Sequence, residues 1–190
     1  MRIRYNAPVT LTFALLASLV LAADQLLNTE LIPTLFTIPS KGNFSFGSFP
    51  DWIRLFTHIV GHGNWAHLLG NFAFILLLGP ILEEKYGSLG LVGMMLITAL
   101  ATGLLNALFS NAALLGASGI VFMMILLASF TNIRDGDIPL TFILIVALYL
   151  AREIIEGIQN DDSIAQFAHI AGGICGSLFG FIRPSKRKNQ

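Results

Sequence analysis

The sequence predicts an all-α membrane protein: a bundle of six transmembrane helices, with a long interfacial loop 1 and a short fourth helix that starts at a serine. Three observations carry that prediction. First, 55% of the 190 residues are hydrophobic and 12% charged, with a mean hydropathy of +0.75; a soluble domain carries roughly 25% charged residues. Second, charges, prolines and polar clusters bound six apolar stretches, and six crossings of about 20 residues occupy about 120, leaving about 70 for loops and tails. Third, the basic residues fall on alternate connections. No internal repeat or low-complexity segment divides the chain, which reads as one domain over residues 1–190.

The first span is expected over residues 7–23. Arg2 and Arg4, followed by an apolar run ending Ala22-Ala23-Asp24, also fit a cleavable signal peptide, although the run is slightly long for one. Loop 1, residues 28–57, carries Phe36, Phe44, Phe46, Phe49 and Trp52, rings that suit the membrane interface. The second span, 59–78, is expected to end at Gly79-Pro80 and the charged Glu83-Glu84-Lys85. The third covers 89–109. The fourth, 118–132, starts at Ser118 and stops before Arg134-Asp135-Gly136-Asp137. The fifth, 140–155, starts beside Pro139, which suits a helix N-terminus. The sixth, 164–182, is closed by Arg183-Pro184 and a basic tail over 183–190.

Counted in alternation, one set of connections holds Arg2, Arg4, Lys85, Arg134, Arg183, Lys186, Arg187 and Lys188, and the other only Lys41 and Arg54. The positive-inside rule then places both termini in the cytoplasm, which requires an even number of spans. Eleven basic against eleven acidic residues leave no basic field for nucleic acid. The single cysteine, Cys175, excludes an intramolecular disulfide and a cysteine-based zinc cluster.

Polar groups inside a bilayer are functional candidates by default, because hydrocarbon cannot satisfy them. They are His58, His62, His67 and Asn71 on the expected second span, Ser118 on the fourth, Arg152, Glu153 and Glu156 on the fifth, and His169 on the sixth. The second, fourth and sixth spans run in the same direction, and His67, Ser118 and His169 each lie in the first part of one. At 1.5 Å per residue they share a layer in the outer half of the bilayer. A hydroxyl beside imidazoles is a constellation for nucleophilic catalysis, since histidine can take the proton that makes serine reactive.

Gly116 and Gly119 flank Ser118, permitting a tight turn and close approach of a substrate backbone. His169, Gly172, Gly176 and Gly180 lie on one helical face, a small-residue stripe that suits close packing against the fourth span. His67 and Asn71, four apart on one face, carry N–H donors suited to an oxyanion, together with the Ser118 amide.

Taken together these residues resemble the rhomboid intramembrane serine proteases, over about residues 52–181. The match consists of His62, His67-x-x-x-Asn71, Gly79, Glu83-x-x-x-Gly87, Gly116-x-Ser118-Gly119 and Ala168-His169-x-x-Gly172-x-x-x-Gly176. The resemblance implies a Ser118–His169 dyad, with His67, Asn71 and the Ser118 N–H at the oxyanion. It implies a six-helix bundle in the cell (inner) membrane, a water-filled cavity open to the extracytoplasmic side, and cleavage of transmembrane helices of other membrane proteins. By analogy with the family, the fifth span with loop 5 is a candidate lateral gate; no cofactor and no metal is expected. Two departures stand out. The family's Trp-Arg pair is here Trp52-Ile53-Arg54, and the position four after the serine, often tyrosine, is Phe122.

Each feature also has a plainer reading. Serine and histidine brace membrane helices by hydrogen bonding, and so can His67 and Asn71. His58, His62 and His67 could gather a metal, but no carboxylate, cysteine or HExxH accompanies them; His62 reads better as a brace between loop 1 and the second span. Arg152, Glu153 and Glu156 read as snorkelling or paired groups near a membrane surface. Asp161 and Asp162 sit in a loop, poorly placed to orient His169, and Cys175 reads as packing. A chain that only binds or escorts transmembrane helices is the alternative function, and a small transporter would show pseudo-symmetric halves and a midplane ionisable site, which this sequence lacks.

Overall fold

The computed structural model describes residues 5–132 and 165–182, with helical positions at 140, 143, 144, 147, 148 and 151 between them. Otherwise the expected fifth span with Arg152, Glu153 and Glu156, loop 5 with Asp161 and Asp162, and the basic tail lie outside the described residues, as does the side chain of His169.

Among the described residues the chain forms seven helices: α1 (Pro8–Leu27), α2 (Leu31–Leu35), α3 (Phe49–Thr57), α4 (Trp65–Tyr86), α5 (Ser88–Phe109), α6 (Ser118–Asn132) and α7 (Ala165–Ile182). The only extended pairing among these residues is an isolated antiparallel bridge between Ile38 and Leu114. Helices α1, α4 and α5 are long and apolar enough to cross a membrane, and α6 and α7 carry shorter apolar stretches. The chain is an integral membrane protein.

Helix α6 occupies the centre. Ile120, Val121, Met123, Met124, Ile125 and Leu127 are all at most 1% exposed, so it is covered nearly all round, as an apolar helix inside a larger bundle must be. Its most extensive neighbour is α7, and α4 and α5 also pack on it. Outward-facing Leu15, Leu19, Leu69, Leu77, Ile97, Ile170 and Ile174 are exposed, a surface suited to lipid.

Three boundaries differ from expectation: α1 runs past residue 23 to Leu27, and both ends of the second predicted span move. The helix holding the second predicted span begins at Trp65, not at residue 59, because Asn64 caps it: its Oδ1 accepts the His67 N–H at 2.8 Å, leaving an ordinary helix start. His58 and His62 are therefore not on that helix. His58 is the C-cap of α3, and His62 lies in the connection to α4, which turns over residues 58–60 and then passes Phe36 so closely that a β-carbon on Gly61 would stand 2.5 Å from the Phe36 carbonyl oxygen. At the other end α4 runs through Gly79-Pro80 to Tyr86. Pro80 removes one donor from the helix ladder, but a broken helix would leave several backbone groups unsatisfied in lipid.

The charged end of α4 is absorbed by α1. Glu83 accepts from Val9 N at 2.9 Å, Thr10 N at 3.0 Å, Thr10 Oγ1 at 2.9 Å and Ser88 Oγ at 2.8 Å. The first amides of α1 have no intrahelical acceptor, and a carboxylate is the best partner for them. Gly79 makes the approach possible, since a β-carbon there would meet Thr10 at 2.6 Å.

Loop 1 is largely structured. Arg54 donates through Nε to Thr34 O at 2.8 Å and pairs with Asp51, tying α3 to α2. Asp51 Oδ2 accepts Ser45 N at 2.9 Å, and Trp52 Nε1 donates to Phe46 O at 2.9 Å. Phe49, Trp52, Ile53 and Phe56 remain exposed along one side of α3, an apolar face suited to the membrane interface.

Candidate active site

The turn that delivers Ser118 is pinned from several directions. Ile38 N donates to Leu114 O at 2.9 Å, Leu114 N to Ile38 O at 3.0 Å, and Lys41 N to Ser110 O at 2.7 Å. Asn106 Nδ2 of α5 donates to Ala112 O at 3.1 Å. Gly116 N donates to His58 O at 2.9 Å, and Gly116 has φ +110°, a conformation glycine adopts without strain. Leu114, Gly116 and Ala117 are buried, so the approach to the serine dips into protein.

Ser118 opens α6 and is 7% exposed. Amides in the first turn of a helix lack intrahelical acceptors and point toward whatever sits before it. On the opposite side of the turn stand the two predicted residues of α4. A β-carbon at Gly116 would lie 2.7 Å from both Cε1 and Nε2 of His67 and 3.8 Å from Asn71 Nδ2. The imidazole of His67 and the amide of Asn71 are thus drawn up against the backbone two residues before Ser118.

Asn71 is 2% exposed, and its Nδ2 lies 3.2 Å from His62 Nε2; His62 Nδ1 lies 3.0 Å from Val60 O. The His62 and His67 ring centroids are 5.0 Å apart. Burial pushes the His62 imidazole down to about 4, helped by the charge of neighbouring His67 and opposed by the Val60 carbonyl. Burial likewise pushes His58 down to about 4, with its Nδ1 3.2 Å from Arg54 O and its Nε2 3.3 Å from Thr102 Oγ1. Both rings are neutral at pH 7. His62 does join the connection after α3 to α4, but through Asn71, a contact that sequence spacing alone did not suggest. Among the described residues no three His, Cys, Asp or Glu side chains gather as a metal site.

The third contributor is α7. A β-carbon at Gly172 would meet Gly119 O at 2.2 Å, one at Gly173 the Phe122 ring at 2.9 Å, and one at Gly176 Met123 O at 2.3 Å. Contacts that step from Gly119 and Gly172 to Met123 and Gly176 advance by four on both helices, so α6 and α7 run parallel with backbones touching. His169 occupies α7 three residues before Gly172, about 4.5 Å of helix rise, and Ser118 stands one residue before Gly119. The glycine stripe thus brings the α7 turn bearing His169 level with the start of α6, while Phe122 covers α7 one turn further on.

The Rhomboid domain family model matches residues 50–186. Rhomboid protease GlpG of Haemophilus influenzae is 27% identical over 143 residues, covering 72% of each chain. Rhomboid-like protein 11, chloroplastic, of Arabidopsis thaliana is 26% identical over 142 residues, 74% of this chain and 47% of that one. RHOMBOID-like protein 1 of the same plant is 32% identical over 137 residues, 68% of this chain and 34% of that one. The matched region is thus less than half the length of these two plant relatives.

Proposed function

This chain belongs to the rhomboid family, and from that premise we propose that it is an intramembrane serine endopeptidase, with Ser118 as nucleophile and His169 as its base. The observation that carries the reading is the convergence of three elements on one turn: Ser118 at the start of α6, His67 and Asn71 against Gly116, and the His169 turn of α7 held level by the Gly119–Gly172 contact.

In this mechanism a substrate helix from another membrane protein enters from the bilayer and unwinds locally, because a carbonyl bonded within a helix is shielded. Glycine, proline or polar residues in that segment favour cleavage by weakening the helix. Ser118 Oγ attacks the carbonyl carbon as His169 takes its proton, and the negative oxygen is held by His67, Asn71 and the Ser118 N–H. His169 returns the proton to the leaving amine. Water, activated by the same imidazole, then hydrolyses the acyl-serine and restores the hydroxyl. Gly116 and Gly119 shape the approach, Phe122 floors the site, and Gly172 and Gly176 set the spacing between α6 and α7.

The reading extends to six spans in a single domain in the cell (inner) membrane, with both termini cytoplasmic and the site opening outside. No cofactor or metal takes part; the partners are transmembrane-helix substrates and the bilayer. The test uses purified protein in liposomes with a generic transmembrane substrate and a fluorophosphonate probe. Wild type is expected to cleave and to be labelled at Ser118, Ser118→Ala to do neither, and His169→Ala to lose both. Equal cleavage by wild type and Ser118→Ala, or strong labelling of His169→Ala, overturns the dyad. A chain that binds transmembrane helices without cleaving or labelling is instead an escort.

A further inference from the structure

His62 has no part in the mechanism above, yet it is fully buried and its Nε2 lies 3.2 Å from the side-chain nitrogen of Asn71, which has one. The chemistry of its two ring nitrogens settles what it can do. Val60 O, 3.0 Å from Nδ1, can only accept, so Nδ1 carries the proton. A buried imidazole stays neutral, so Nε2 keeps its lone pair and is an acceptor. The group 3.2 Å from Nε2 must then be a donor, which makes it the Asn71 amide nitrogen.

One N–H of Asn71 is consumed in this way, and its other N–H is free to point at the turn before Ser118, toward which Nδ2 already lies. Were the amide reversed, its carbonyl oxygen would face the same place and repel a developing negative charge. An asparagine has no intrinsic preference between these two states, because both fit the same space. The neighbour that tells them apart is His62.

We propose that His62 is a positioning residue that locks the Asn71 amide with its nitrogen toward the nucleophile turn, so that Asn71 meets the reaction as a donor. The proposal rests on the protease reading, with Asn71 at the oxyanion. It makes the effect of position 62 depend on hydrogen-bond polarity rather than on size or packing. Glutamine reproduces the polarity, because its amide nitrogen can donate to Val60 O while its oxygen accepts from Asn71. Leucine fills similar space and supplies neither.

The experiment measures kcat and KM for cleavage of a transmembrane substrate by full-length wild type, His62→Gln, His62→Leu, Asn71→Ala and the His62→Leu/Asn71→Ala double variant. Deleting an oxyanion donor lowers kcat by about 10²–10³-fold, and His62→Leu is expected to approach that loss with KM within about twofold of wild type. His62→Gln is expected to recover most of the rate, and His62→Leu to add nothing once Asn71 is alanine. A glutamine variant as slow as the leucine one, a loss confined to KM, or additive losses in the double variant each overturns the proposal. If His62→Leu does not fold, a well-folded His62→Gln variant whose kcat has collapsed overturns it equally, and one with near wild-type kcat and a loss on adding Asn71→Ala supports it. A wild type that neither cleaves nor labels at Ser118 defeats the protease reading itself, and this proposal with it; an active wild type whose response at 62 ignores Asn71 defeats this proposal alone.

Discussion

At the scale of single residues, the site depends on positions whose importance lies in what they exclude. Gly116 has φ +110° and faces the His67 ring at a distance where no β-carbon fits. Gly116→Ala is expected to lose about 1–3 kcal/mol of stability through backbone strain and to displace His67, with a fall in cleavage rate larger than the shift in melting temperature explains; parallel rate and melting measurements check this. The buried imidazoles give a pH dependence of stability. His58 and His62 have folded-state values of about 4 against about 6.5 when exposed, so the unfolded chain binds more protons between those values. Their contribution is therefore fully present above pH 6.5 and lost as pH falls toward 4, on the order of 3 kcal/mol apiece. Melting in detergent from pH 7 to pH 4 is expected to show the fall, and His58→Gln to flatten its slope. Neither histidine revealed this role by spacing: both read as part of a helix, because the cap that ends that reading, Asn64, is one polar residue beside Trp65 in an apolar stretch.

At the scale of elements, the start of α6 at Ser118 was legible, since Gly116 and Gly119 mark a turn and the residues after Ser118 are apolar on every side. The course of α4 was less so. Pro80 and the charges after it carry every sequence signal of a helix end, and the helix continues because lipid penalises the alternative and because α1 offers Glu83 a set of unpaired amides, a partner 73 residues away that no local pattern reports. The contact of α6 with α7 makes a sharper prediction. Gly172→Ala places a β-carbon 2.2 Å from Gly119 O, whereas Gly93 in α5 has nothing within 4 Å of its own. Gly172→Ala is expected to lose about 1–3 kcal/mol by overpacking and to weaken fluorophosphonate labelling, as the helices are forced apart. Gly93→Ala is expected to keep labelling and to gain about 0.5–1 kcal/mol from helix propensity. Thermal melts and labelling of the two variants side by side separate close contact from a general intolerance of alanine.

At the scale of the whole molecule, the composition made the membrane legible and the ordered set of motifs made the family so, because a bilayer penalises every polar group that has no use. What composition does not report is how α1, which precedes the matched region at residue 50, is held to the rest. Glu83 does this: one carboxylate, 5% exposed, gathers two amides and a hydroxyl of α1 and a hydroxyl of α5 while itself belonging to α4. All four partners act as donors, so the site requires an acceptor on every side. Glu83→Gln keeps the shape but turns one acceptor oxygen into an NH2 group that faces other donors. Hydrogen bonds to charged groups contribute about 1.5–3 kcal/mol, and 1 kcal/mol moves the melting temperature of a chain this size by about 2–4 °C. A fall of about 3–12 °C is therefore expected. Because the clamp lies at the opposite end of α4 from His67 and Asn71, the fraction that remains folded is expected to label at Ser118 at nearly the wild-type rate. Melting together with labelling below the transition checks both halves. Unchanged melting would mean that α1 is held by its apolar contacts alone, and slowed labelling of fully folded protein would mean that the clamp reaches the serine through α4.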